Sequence, residues 1–236
     1  MKVLITGGKG LLGKELQKQN IYDDLRLMPF GKDVDITNYA IIDRLIEHYN
    51  PDVILHAAAL TVPMKQHTDN PAISIQTNII GTANVALACI KYNKKIVYIS
   101  TDYVYPGTTG NYKEEDPLLP VNDYAWSKLG GECSARAVPD HLILRSAHSP
   151  KPFRHNKAFF DCKKSGIYVD EAAKLILDLI YNDKSGIINL GGKDQSIFSF
   201  AKESNLKIKP TSKDTVPEPV PENITMNTEK LHDNTL

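Results

Sequence analysis

A hydroxyl, a phenol and an amine lie close together in the middle of the sequence. Thr101 follows the apolar run "KIVYIS" at 95–100, and the segment "NDYAWSKLGGE" at 122–132 contains Tyr124 and Lys128. A free tyrosine titrates near pH ~10, so its phenol exchanges protons poorly at neutral pH unless a cation stabilises the phenolate. A lysine four residues later on a helix lies on the same face and can supply that cation. Of the eleven tyrosines, only Tyr124 is followed by a lysine at this spacing.

These three residues predict the reduction of a ketone. The phenol of Tyr124 donates its proton to the ketone oxygen as a hydride reaches the carbon. The ammonium of Lys128 lowers the pKa of that phenol and also holds the ribose of a nicotinamide cofactor. The hydroxyl of Thr101, at the end of a strand, polarises the same ketone oxygen. Thr101, Tyr124 and Lys128 are therefore the predicted catalytic residues, and Tyr124 and Lys128 also contact the cofactor.

A glycine-rich segment near the N-terminus predicts a site for the phosphates of that cofactor. The stretch "ITGGKGLLG" places Gly7, Gly10 and Gly13 between the first predicted strand and the first predicted helix. Glycines allow a tight turn and a close approach of the backbone, while the N–H groups and dipole of the helix N-terminus attract a pyrophosphate. A strand before the segment and a helix after it form the setting that a dinucleotide site requires. A purely structural strand–helix turn is the alternative.

The residues after the second predicted strand bear on which dinucleotide binds. An NAD site usually carries an acid there, bonded to the 2′-hydroxyl of the ribose. Here the segment reads "MPFGKD", so Asp33 lies beyond Lys32 and further along than expected. Lys32 and the loop residue Lys9 favour a 2′-phosphate, unless both are ordinary surface lysines. NADPH is therefore the predicted cofactor, with NADH as the alternative.

The order of apolar and amphipathic segments predicts an α/β fold, a Rossmann-type doubly wound parallel sheet. Near-continuous apolar strands alternate with amphipathic helices, as in a parallel sheet covered on both faces. The predicted strands are 2–6, 24–30, 52–59, 95–100, 141–146 and 186–191. The predicted helices are 11–19, 37–50 with Thr37 as N-cap, 71–92 with Pro71 in its first turn, 123–138 and 170–182.

The composition changes from about Ser204 onward, where proline, threonine and charged residues become frequent. This change predicts either a disordered tail or a small lobe folded over the sheet. We predict an NAD(P)-binding domain at 1–150. We assign 151–236 to an abbreviated C-terminal substrate-binding lobe, interleaved with the last elements of the sheet.

Charge and cysteine content restrict the class of protein. Lysine plus arginine total 28, as do aspartate plus glutamate, and this zero net charge argues against nucleic-acid or membrane-surface binding. Three cysteines without a CxxC pair predict free thiols in a reducing cytoplasm, with neither a disulfide framework nor a metal site. No signal peptide is predicted, and no run approaches the ~20 apolar residues of a membrane span. We therefore expect a cytoplasmic protein with no nucleic-acid or membrane partner.

Several segments resemble the extended short-chain dehydrogenases in their order and rough spacing: "TGGKGLLG", "HAAA", "STDYVY", "YAWSK" and "LILRS". The resemblance is closest to the dTDP-4-dehydrorhamnose reductase type and covers about residues 1–150 well. It implies the same catalytic set of Thr101, Tyr124 and Lys128, with Asn78 supporting the catalytic helix. It implies that the cofactor is lined by Gly7, Lys9, Gly10, Leu11, Leu12, Ala57, Ala58 and Ala59. It also implies that Asp102 meets the substrate sugar. The candidate cations for the substrate diphosphate are Arg145, Arg154 and Lys157, with a surface or structural charge as the alternative for each.

The function implied by this resemblance is the NADPH-dependent reduction of a nucleotide-linked 4-keto-6-deoxy sugar, with dTDP or UDP as the nucleotide. Family members are commonly longer, and the missing length falls after residue 146, where a fuller substrate lobe is expected. Two alternatives stay open: a non-catalytic NADP-binding regulatory subunit, similar to that of methionine adenosyltransferase, and a related nucleotide-sugar epimerase. A 4,6-dehydratase is disfavoured because "STDYVY" carries no glutamate after Thr-Asp to remove a proton.

Two predicted helices, 71–92 and 123–138, carry more apolar surface than one face of a sheet needs. On the first, apolar side chains spread over a wide arc that includes Ile80, Leu87 and Ile90. Extended short-chain dehydrogenases often pair the corresponding helices across a two-fold axis. A homodimer is therefore predicted. The alternative is that the arc packs on the sheet and on its neighbouring helix.

Overall fold

Strands and helices alternate along the chain, which a computed structural model describes for residues 1–61 and 63–233. The strands are β1 (Lys2–Thr6), β2 (Arg26–Pro29), β3 (Val53–His56), β4 (Lys95–Thr101), β5 (His141–Ser146), β6 (His148–Ser149), β7 (Lys157–Phe159), β8 (Lys163–Ser165), β9 (Ile167–Tyr168), β10 (Gly186–Leu190), β11 (Asp194–Ser196), β12 (Lys209–Thr211) and β13 (Asn223–Ile224). The helices are α1 (Leu11–Gln19), α2 (Tyr39–Tyr49), α3 (Lys65–Asp69), α4 (Pro71–Lys91), α5 (Asp123–Arg136), α6 (Val169–Tyr181), α7 (Ile197–Ser204) and α8 (Glu229–His232).

The central sheet is parallel throughout and has the strand order β10–β5–β4–β3–β1–β2. From β1 the chain adds β2 on one side and then β3, β4, β5 and β10 on the other. The direction of the connections therefore reverses between β1 and β3. In open α/β sheets, ligands bind at the carboxyl ends of the strands near such a switch point. The predicted Rossmann-type sheet is confirmed.

Two apolar layers cover the sheet, because successive side chains of a strand point to opposite faces. Val3 and Ile5 of β1 pack with the buried sides of α1 and α6. Leu4, between them, packs with the buried sides of α2 and α4. Burial on both faces explains why these strands read as continuous apolar runs in the sequence.

The ends of α2 differ in one respect from the prediction. Asn38, rather than Thr37, is the N-cap, because its side-chain oxygen accepts the N–H of Ala40 at 3.1 Å. The Thr37 hydroxyl instead donates to Asp35 at 2.7 Å. Other predicted elements of the sheet begin and end close to their predicted positions. The predictions missed α3, α7, α8 and the short strands of the C-terminal half, which are too short to show a hydrophobic period.

Helix α4 contains a π-helical turn at Ile75–Ile80, between α-helical segments Pro71–Ser74 and Gly81–Lys91. Such single turns of π-helix are frequent at functional sites. Among the described residues, α4 is the one helix long and apolar enough to cross a membrane, which the sequence analysis did not anticipate. Core helices share that property, and Val85, Ala88 and Cys89 of α4 are buried against the sheet.

The C-terminal segment is folded, which decides between the two sequence-based alternatives for it. Strand β8 lies between β11 and β13 in a small sheet, and β12 pairs with β7. Asn189 of β10 fastens this region to the main sheet, since its side-chain amide donates to Tyr112 O at 2.9 Å and to Asn227 O at 3.0 Å. The predicted segment runs to residue 236, of which 234–236 lie outside the described residues. The domain division at residue 150 stays a prediction.

Candidate functional site

The glycine-rich turn between β1 and α1 lies at the switch point of the sheet. Gly7 has φ +73°, and a Cβ there would lie 2.6 Å from the backbone nitrogen of Ala58, so only glycine fits. Gly10 precedes the first turn of α1, and no side chain among the described residues caps it. The first N–H groups of α1 are therefore available to an anion. The turn fits a dinucleotide pyrophosphate.

The other residues of this turn that were predicted to contact the cofactor differ in the exposure of their side chains. Leu11 is 43% exposed, whereas Leu12 is buried in the core beside α6. Gly13 packs on Gly8, because a Cβ at Gly13 would lie 2.4 Å from Gly8 Cα. Leu12 and Gly13 can thus meet a cofactor through their backbone N–H groups only.

The turn after β2 brings together the lysines that favour a ribose 2′-phosphate and the acid that would bind a 2′-hydroxyl. Lys9 Nζ lies 2.9 Å from Asp33 Oδ1, and both side chains are more than half exposed. The hydrogen bond from Lys9 lowers the pKa of Asp33 below its usual value. Lys32 is exposed in the same turn. The two lysines predicted to bind a 2′-phosphate therefore lie in the same region, and the charge of Lys9 is paired with Asp33.

Asn78 joins the loop after β3 to the catalytic helix. Its Oδ1 accepts the N–H of Leu60 at 2.8 Å, and its Nδ2 donates to Leu60 O at 2.9 Å and to Ser127 Oγ at 2.8 Å. Asn78 is buried within the π-helical turn of α4. The run Ala57–Ala59 begins this loop, where Ala57 N donates to Thr6 O at 3.1 Å. The π-turn thus holds the loop beside α5.

Thr101 and Tyr124 meet at the carboxyl end of β4. Thr101 is the buried last residue of that strand, and its Oγ1 donates to Asp102 Oδ1 at 3.1 Å. Tyr124 lies in the first turn of α5, where Asn122 accepts the N–H of Ala125 at 2.9 Å as N-cap. Burial raises the pKa of Tyr124 to about 12, although the nearby hydroxyl of Thr101 opposes this. The phenol is therefore protonated at neutral pH, as a proton donor must be.

Lys128 lies one turn further along α5 and is 3% exposed. Its Nζ donates to Ile99 O at 2.8 Å and lies 4.3 Å from the ring centroid of Tyr98, a cation–π contact. Burial lowers the pKa of Lys128 to about 7, and the charge of Glu132 opposes this. No hydrogen bond joins the ammonium to Tyr124 in the described part of the chain. The predicted lowering of the Tyr124 pKa is therefore wrong for this arrangement, in which burial of the phenol dominates.

Asp102 carries a carboxylate oxygen that is unpaired within the described residues. It is 2% exposed beside Thr101, and its Oδ2 has no hydrogen-bond donor there. Lys164 of β8 brings its Nζ to 3.7 Å from that oxygen. Burial raises the pKa of Asp102, and the charge of Lys164 opposes this. Burial, followed by the charges of Lys164 and Lys128, lowers the pKa of nearby His148 to about 4, so its ring is neutral at pH 7.

Arg145, a predicted substrate residue, does not reach the site surface. It is 1% exposed and forms an ion pair with the equally buried Glu132, with Nη2 and Oε1 at 2.7 Å. Its Nη1 donates to the hydroxyl of Tyr105 and to the carbonyl of Glu114, both at 2.9 Å. Arg145 is buried because it lies on β5, an interior strand between β4 and β10. The prediction that Arg145 meets the substrate diphosphate is therefore wrong.

The two other predicted cations, Arg154 and Lys157, are exposed. Arg154 lies on the connection between β6 and β7, and Lys157 begins β7. Within residues 1–61 and 63–233, no hydrogen bond or ion pair joins either of them to Thr101, Tyr124 or Lys128. Their contact with substrate stays a prediction. No group of His, Cys, Asp or Glu suited to a metal ion is found in the same ranges.

Sequence reasoning missed two residues of the site, His67 and Lys164. The ring of His67 lies 5.2 Å from that of Tyr124, edge to face, and its Nδ1 lies 2.6 Å from Ser74 Oγ. Neither residue stands at a spacing that a sequence pattern would single out, because each reaches the site from a distant element. Burial distinguishes them, and burial of a lone polar residue cannot be read from the sequence.

The first 149 residues match the family model described as the RmlD substrate binding domain. A dTDP-4-dehydrorhamnose reductase from Aggregatibacter actinomycetemcomitans is 36% identical over 152 residues, covering 62% of this chain and 51% of that protein. The methionine adenosyltransferase 2 subunit beta of Rattus norvegicus is 36% identical over 139 residues, covering 56% and 41%. These matches thus span about half, or less, of the length of the two curated relatives.

Similarity of fold extends further along the chain. The solved structure of dTDP-4-dehydrorhamnose reductase from Bacillus anthracis, in complex with NADP, superposes with a TM-score of 0.89 and 28% identity. That superposition covers 100% of this chain and 93% of the other. It therefore includes the small C-terminal sheet as well as the main one. Because the family model accounts for more than half of its residues, this chain belongs to the RmlD substrate binding domain family.

Proposed function

We propose that the protein is an NADPH-dependent reductase of a nucleotide-linked 4-keto-6-deoxy sugar of the dTDP-4-dehydrorhamnose type. One observation carries the proposal: the hydroxyl of Thr101 and the phenol of Tyr124, whose pKa burial raises to about 12, lie together at the carboxyl end of β4. The uncapped N-terminus of α1 stands at the same end of the sheet. Groups that can bind a ketone oxygen and groups that can bind a dinucleotide thus lie at the same edge of the sheet, at the carboxyl ends of its strands. The reductases among the relatives support the same reaction.

In this reaction a bound NADPH supplies the hydride. Tyr124 donates its proton to the ketone oxygen, and the raised pKa of the phenol keeps that proton available at neutral pH. Thr101 donates a hydrogen bond to the same oxygen and so draws electron density away from the carbon. In doing so its hydroxyl turns from Asp102 Oδ1 toward the ligand.

Lys128 serves to orient rather than to react. Its ammonium is held between Ile99 O and the ring of Tyr98, so it stays on the inner side of the catalytic helix. From there it can donate a second hydrogen bond to the ribose hydroxyls of the cofactor. A bound cofactor and its phosphates would also favour the charged form of a lysine whose pKa burial lowers to about 7.

The preference for NADPH rests on the turn after β2. Lys9 and Lys32 supply positive charge there, and the NADP complex of the Bacillus anthracis relative supports the assignment for this chain. Asp33, the acid that would serve NADH, is already bonded to Lys9. A 2′-phosphate would compete with Asp33 for the Lys9 ammonium.

The test is a panel of dTDP- and UDP-linked 4-keto sugars, each mixed with NADPH or NADH and followed at the nicotinamide absorbance. We expect rapid oxidation of NADPH with a dTDP-linked 4-keto-6-deoxy sugar, slower oxidation of NADH, and a reduced sugar as the product. GDP-linked ketones serve as the control for nucleotide choice. The absence of ketone-dependent oxidation across the panel would contradict the proposal.

A second candidate function is a binding subunit without turnover, which the 36% identity to the methionine adenosyltransferase 2 subunit beta favours. The same experiment separates the two. Tight binding of NADPH without oxidation by any ketone would support the subunit, whereas turnover supports the reductase.

We also propose that the protein acts as a homodimer in the cytoplasm. Cys89, Cys133 and Cys162 are free thiols, which fits a reducing compartment. The outer side of α4 exposes Ile75, Ile80, Leu87 and Ile90, each at 45% or more. An apolar helix face of this kind suits contact with a second copy.

A further inference from the structure

Asp102 and Lys164 form a pair of opposite charges that do not satisfy each other. Their side chains are 3% and 12% exposed, and Asp102 Oδ2 lies 3.7 Å from Lys164 Nζ. That distance is too long for a direct hydrogen bond. In the described part of the chain, Oδ2 accepts no hydrogen bond and Lys164 Nζ donates none. A buried acceptor, Asp102 Oδ2, and a largely buried lysine therefore lie side by side without a hydrogen bond between them.

An unsatisfied buried polar atom destabilises a folded protein, so such groups usually find a partner. One hydroxyl group would satisfy both of them. It would donate its proton to Oδ2 and accept a hydrogen bond from the ammonium, so that each of the two groups gains a partner.

The place of the pair next to Thr101 indicates which hydroxyl this is. The other carboxylate oxygen of Asp102 accepts a hydrogen bond from Thr101 Oγ1 at 3.1 Å. Thr101 lies beside Tyr124, and these two groups face the ketone oxygen in the proposed reaction. The unused acceptor, Oδ2, thus belongs to the same carboxylate whose other oxygen bonds to Thr101 beside the carbonyl position. A hydroxyl on the carbon next to the carbonyl carbon reaches it.

We propose that Asp102 and Lys164 together bind the hydroxyl on the carbon adjacent to the substrate carbonyl, so that the site selects α-hydroxyketones. The inference rests on the proposed reduction and adds to it a specificity-determining residue, Lys164, from the C-terminal lobe. Strand β8 carries Lys164 toward Asp102, whereas Lys163, its neighbour on the same strand, is exposed on the other side.

The other charged groups around the pair leave this role to Lys164. His148, on β6, has its pKa lowered to about 4 and carries no charge at pH 7. Lys128, on α5, is already bonded to Ile99 O. Burial raises the pKa of Tyr103, so that phenol is neutral as well. Lys164 is therefore the cation whose charge opposes the effect of burial on the pKa of Asp102.

The experiment compares Lys164→Met with Lys163→Met, a matched change on the exposed side of the same strand. Each enzyme reduces the parent keto sugar and an analogue that lacks the hydroxyl next to the ketone. On the parent, kcat/KM should fall by about 10- to 100-fold for Lys164→Met, as for a lost hydrogen bond to a charged group, and stay near wild type for Lys163→Met. On the analogue, wild type and Lys164→Met should be equal within about twofold.

The outcomes separate this inference from the proposed reaction. If wild type reduces the ketone and the kcat/KM of Lys164→Met falls equally on both substrates, the hydroxyl contact is wrong although the reaction stands. If wild type reduces no ketone, calorimetry of dTDP-rhamnose binding decides instead. Weaker binding by Lys164→Met than by Lys163→Met supports the contact, and equal binding overturns it. Should Lys164→Met fail to fold, the double variant Asp102→Asn, Lys164→Met removes both charges and replaces it in each comparison.

Discussion

The phenol of Tyr124 is surrounded by groups that keep its proton in place. Burial comes first among them, and the nearby charge of Asp102 acts in the same direction, so the pKa of Tyr124 is raised to about 12. A phenol with this pKa is fully protonated at pH 7, and its proton is released only as negative charge develops on a ligand oxygen. Proton donation in the proposed reduction therefore depends on the hydroxyl of Tyr124.

Removal of that hydroxyl should stop turnover and leave the cofactor site intact. For Tyr124→Phe we expect kcat for ketone reduction to fall by about 100- to 10,000-fold, the usual contribution of a positioned acid. Affinity for NADPH, measured by fluorescence titration, should change by less than about threefold, because the ring stays in place. Tyr181→Phe, at a surface tyrosine stacked on Tyr22, is the control. A Tyr124→Phe enzyme with a tenth or more of wild-type turnover would contradict the role.

His56 makes the protein sensitive to acid. Burial lowers its pKa to about 3 from an ordinary 6.5, with the charge of Lys128 as a smaller cause. The folded state therefore holds a neutral ring between Thr6 and Thr82, while the unfolded chain takes up a proton below pH 6.5. Because the unfolded state binds more protons, stability is full above pH 6.5 and is lost as the pH falls toward 3.

The variant His56→Asn should remove this part of the acid sensitivity. Between pH 7 and pH 4 we expect the urea-derived free energy of unfolding to fall by about 3 kcal/mol less in the variant than in wild type. His232→Asn, at an exposed histidine of α8, should leave the slope unchanged. Parallel curves for wild type and His56→Asn would show that His56 is not the titrating group.

The residues that carry the chemistry could be predicted from the sequence, whereas the residues that surround them could not. The spacing of Tyr124 and Lys128 on one helix, and the glycines of the first turn, depend on local geometry that a sequence pattern records. Arg145 shows the limit, because its sequence context does not reveal that Glu132 lies beside it in the interior. Lys164 shows the same limit, since its neighbours in space, Asp102 and His148, come from the turn after β4 and from β6.

At the scale of elements, the catalytic helix is held by its close contact with α4. Gly131 of α5 makes that contact, because a Cβ at this position would lie 2.4 Å from Asn78 O and 2.6 Å from the hydroxyl of Tyr98. Tyr98 in turn donates to Lys128 O at 3.0 Å. The π-helical turn of α4 and the start of α5 are therefore positioned together.

The substitution Gly131→Ala should push the two helices apart. We expect a loss of about 1–3 kcal/mol in the free energy of unfolding, the usual effect of an added methyl group in a tight contact. Reduction should weaken as well, since Asn78 and Ser127 would lose their 2.8 Å hydrogen bond. Urea unfolding and steady-state kinetics measure the two effects. The control is Cys133→Ala, an exposed position on the same helix. Equal stability of Gly131→Ala and wild type would contradict the close contact.

The elements themselves were predictable to different degrees. The long strands and helices of the sheet follow from apolar periodicity, which is why β1, α1 and β5 begin and end as predicted. The π-turn at Ile75–Ile80 left no signal, because one extra residue in a turn does not change the residue types. It does change the direction in which the side chains on either side of it point.

At the scale of the whole molecule, the apolar arc divides into an inner and an outer side. Val85, Ala86 and Cys89 are buried on the sheet, while Ile80, Leu87 and Ile90 stay 45–56% exposed. The alternative in which the whole arc packs within one chain is therefore not what the fold shows. The exposed residues recur seven and three positions apart, which places them on one side of α4.

A charge on this outer side should prevent the proposed dimer. Light scattering at micromolar concentration should give twice the chain mass for wild type and a single chain mass for Leu87→Glu, because a buried unpaired carboxylate is costly. Leu206→Glu changes an 85% exposed leucine away from α4 and should leave the mass unchanged. A wild-type mass of one chain that persists on concentration would rule the dimer out.

The small sheet that presents Lys164 also limits how this protein can diversify. Its strands β8, β11 and β13 come from separate parts of the chain, and α6 and β10 of the main sheet lie between the first two in sequence. No single exchange of a contiguous gene segment can therefore transplant this sheet from one relative to another without also replacing part of the main sheet. New substrate preferences would have to arise by point substitution on the existing strands, and position 164 is the first place to look for them among natural variants.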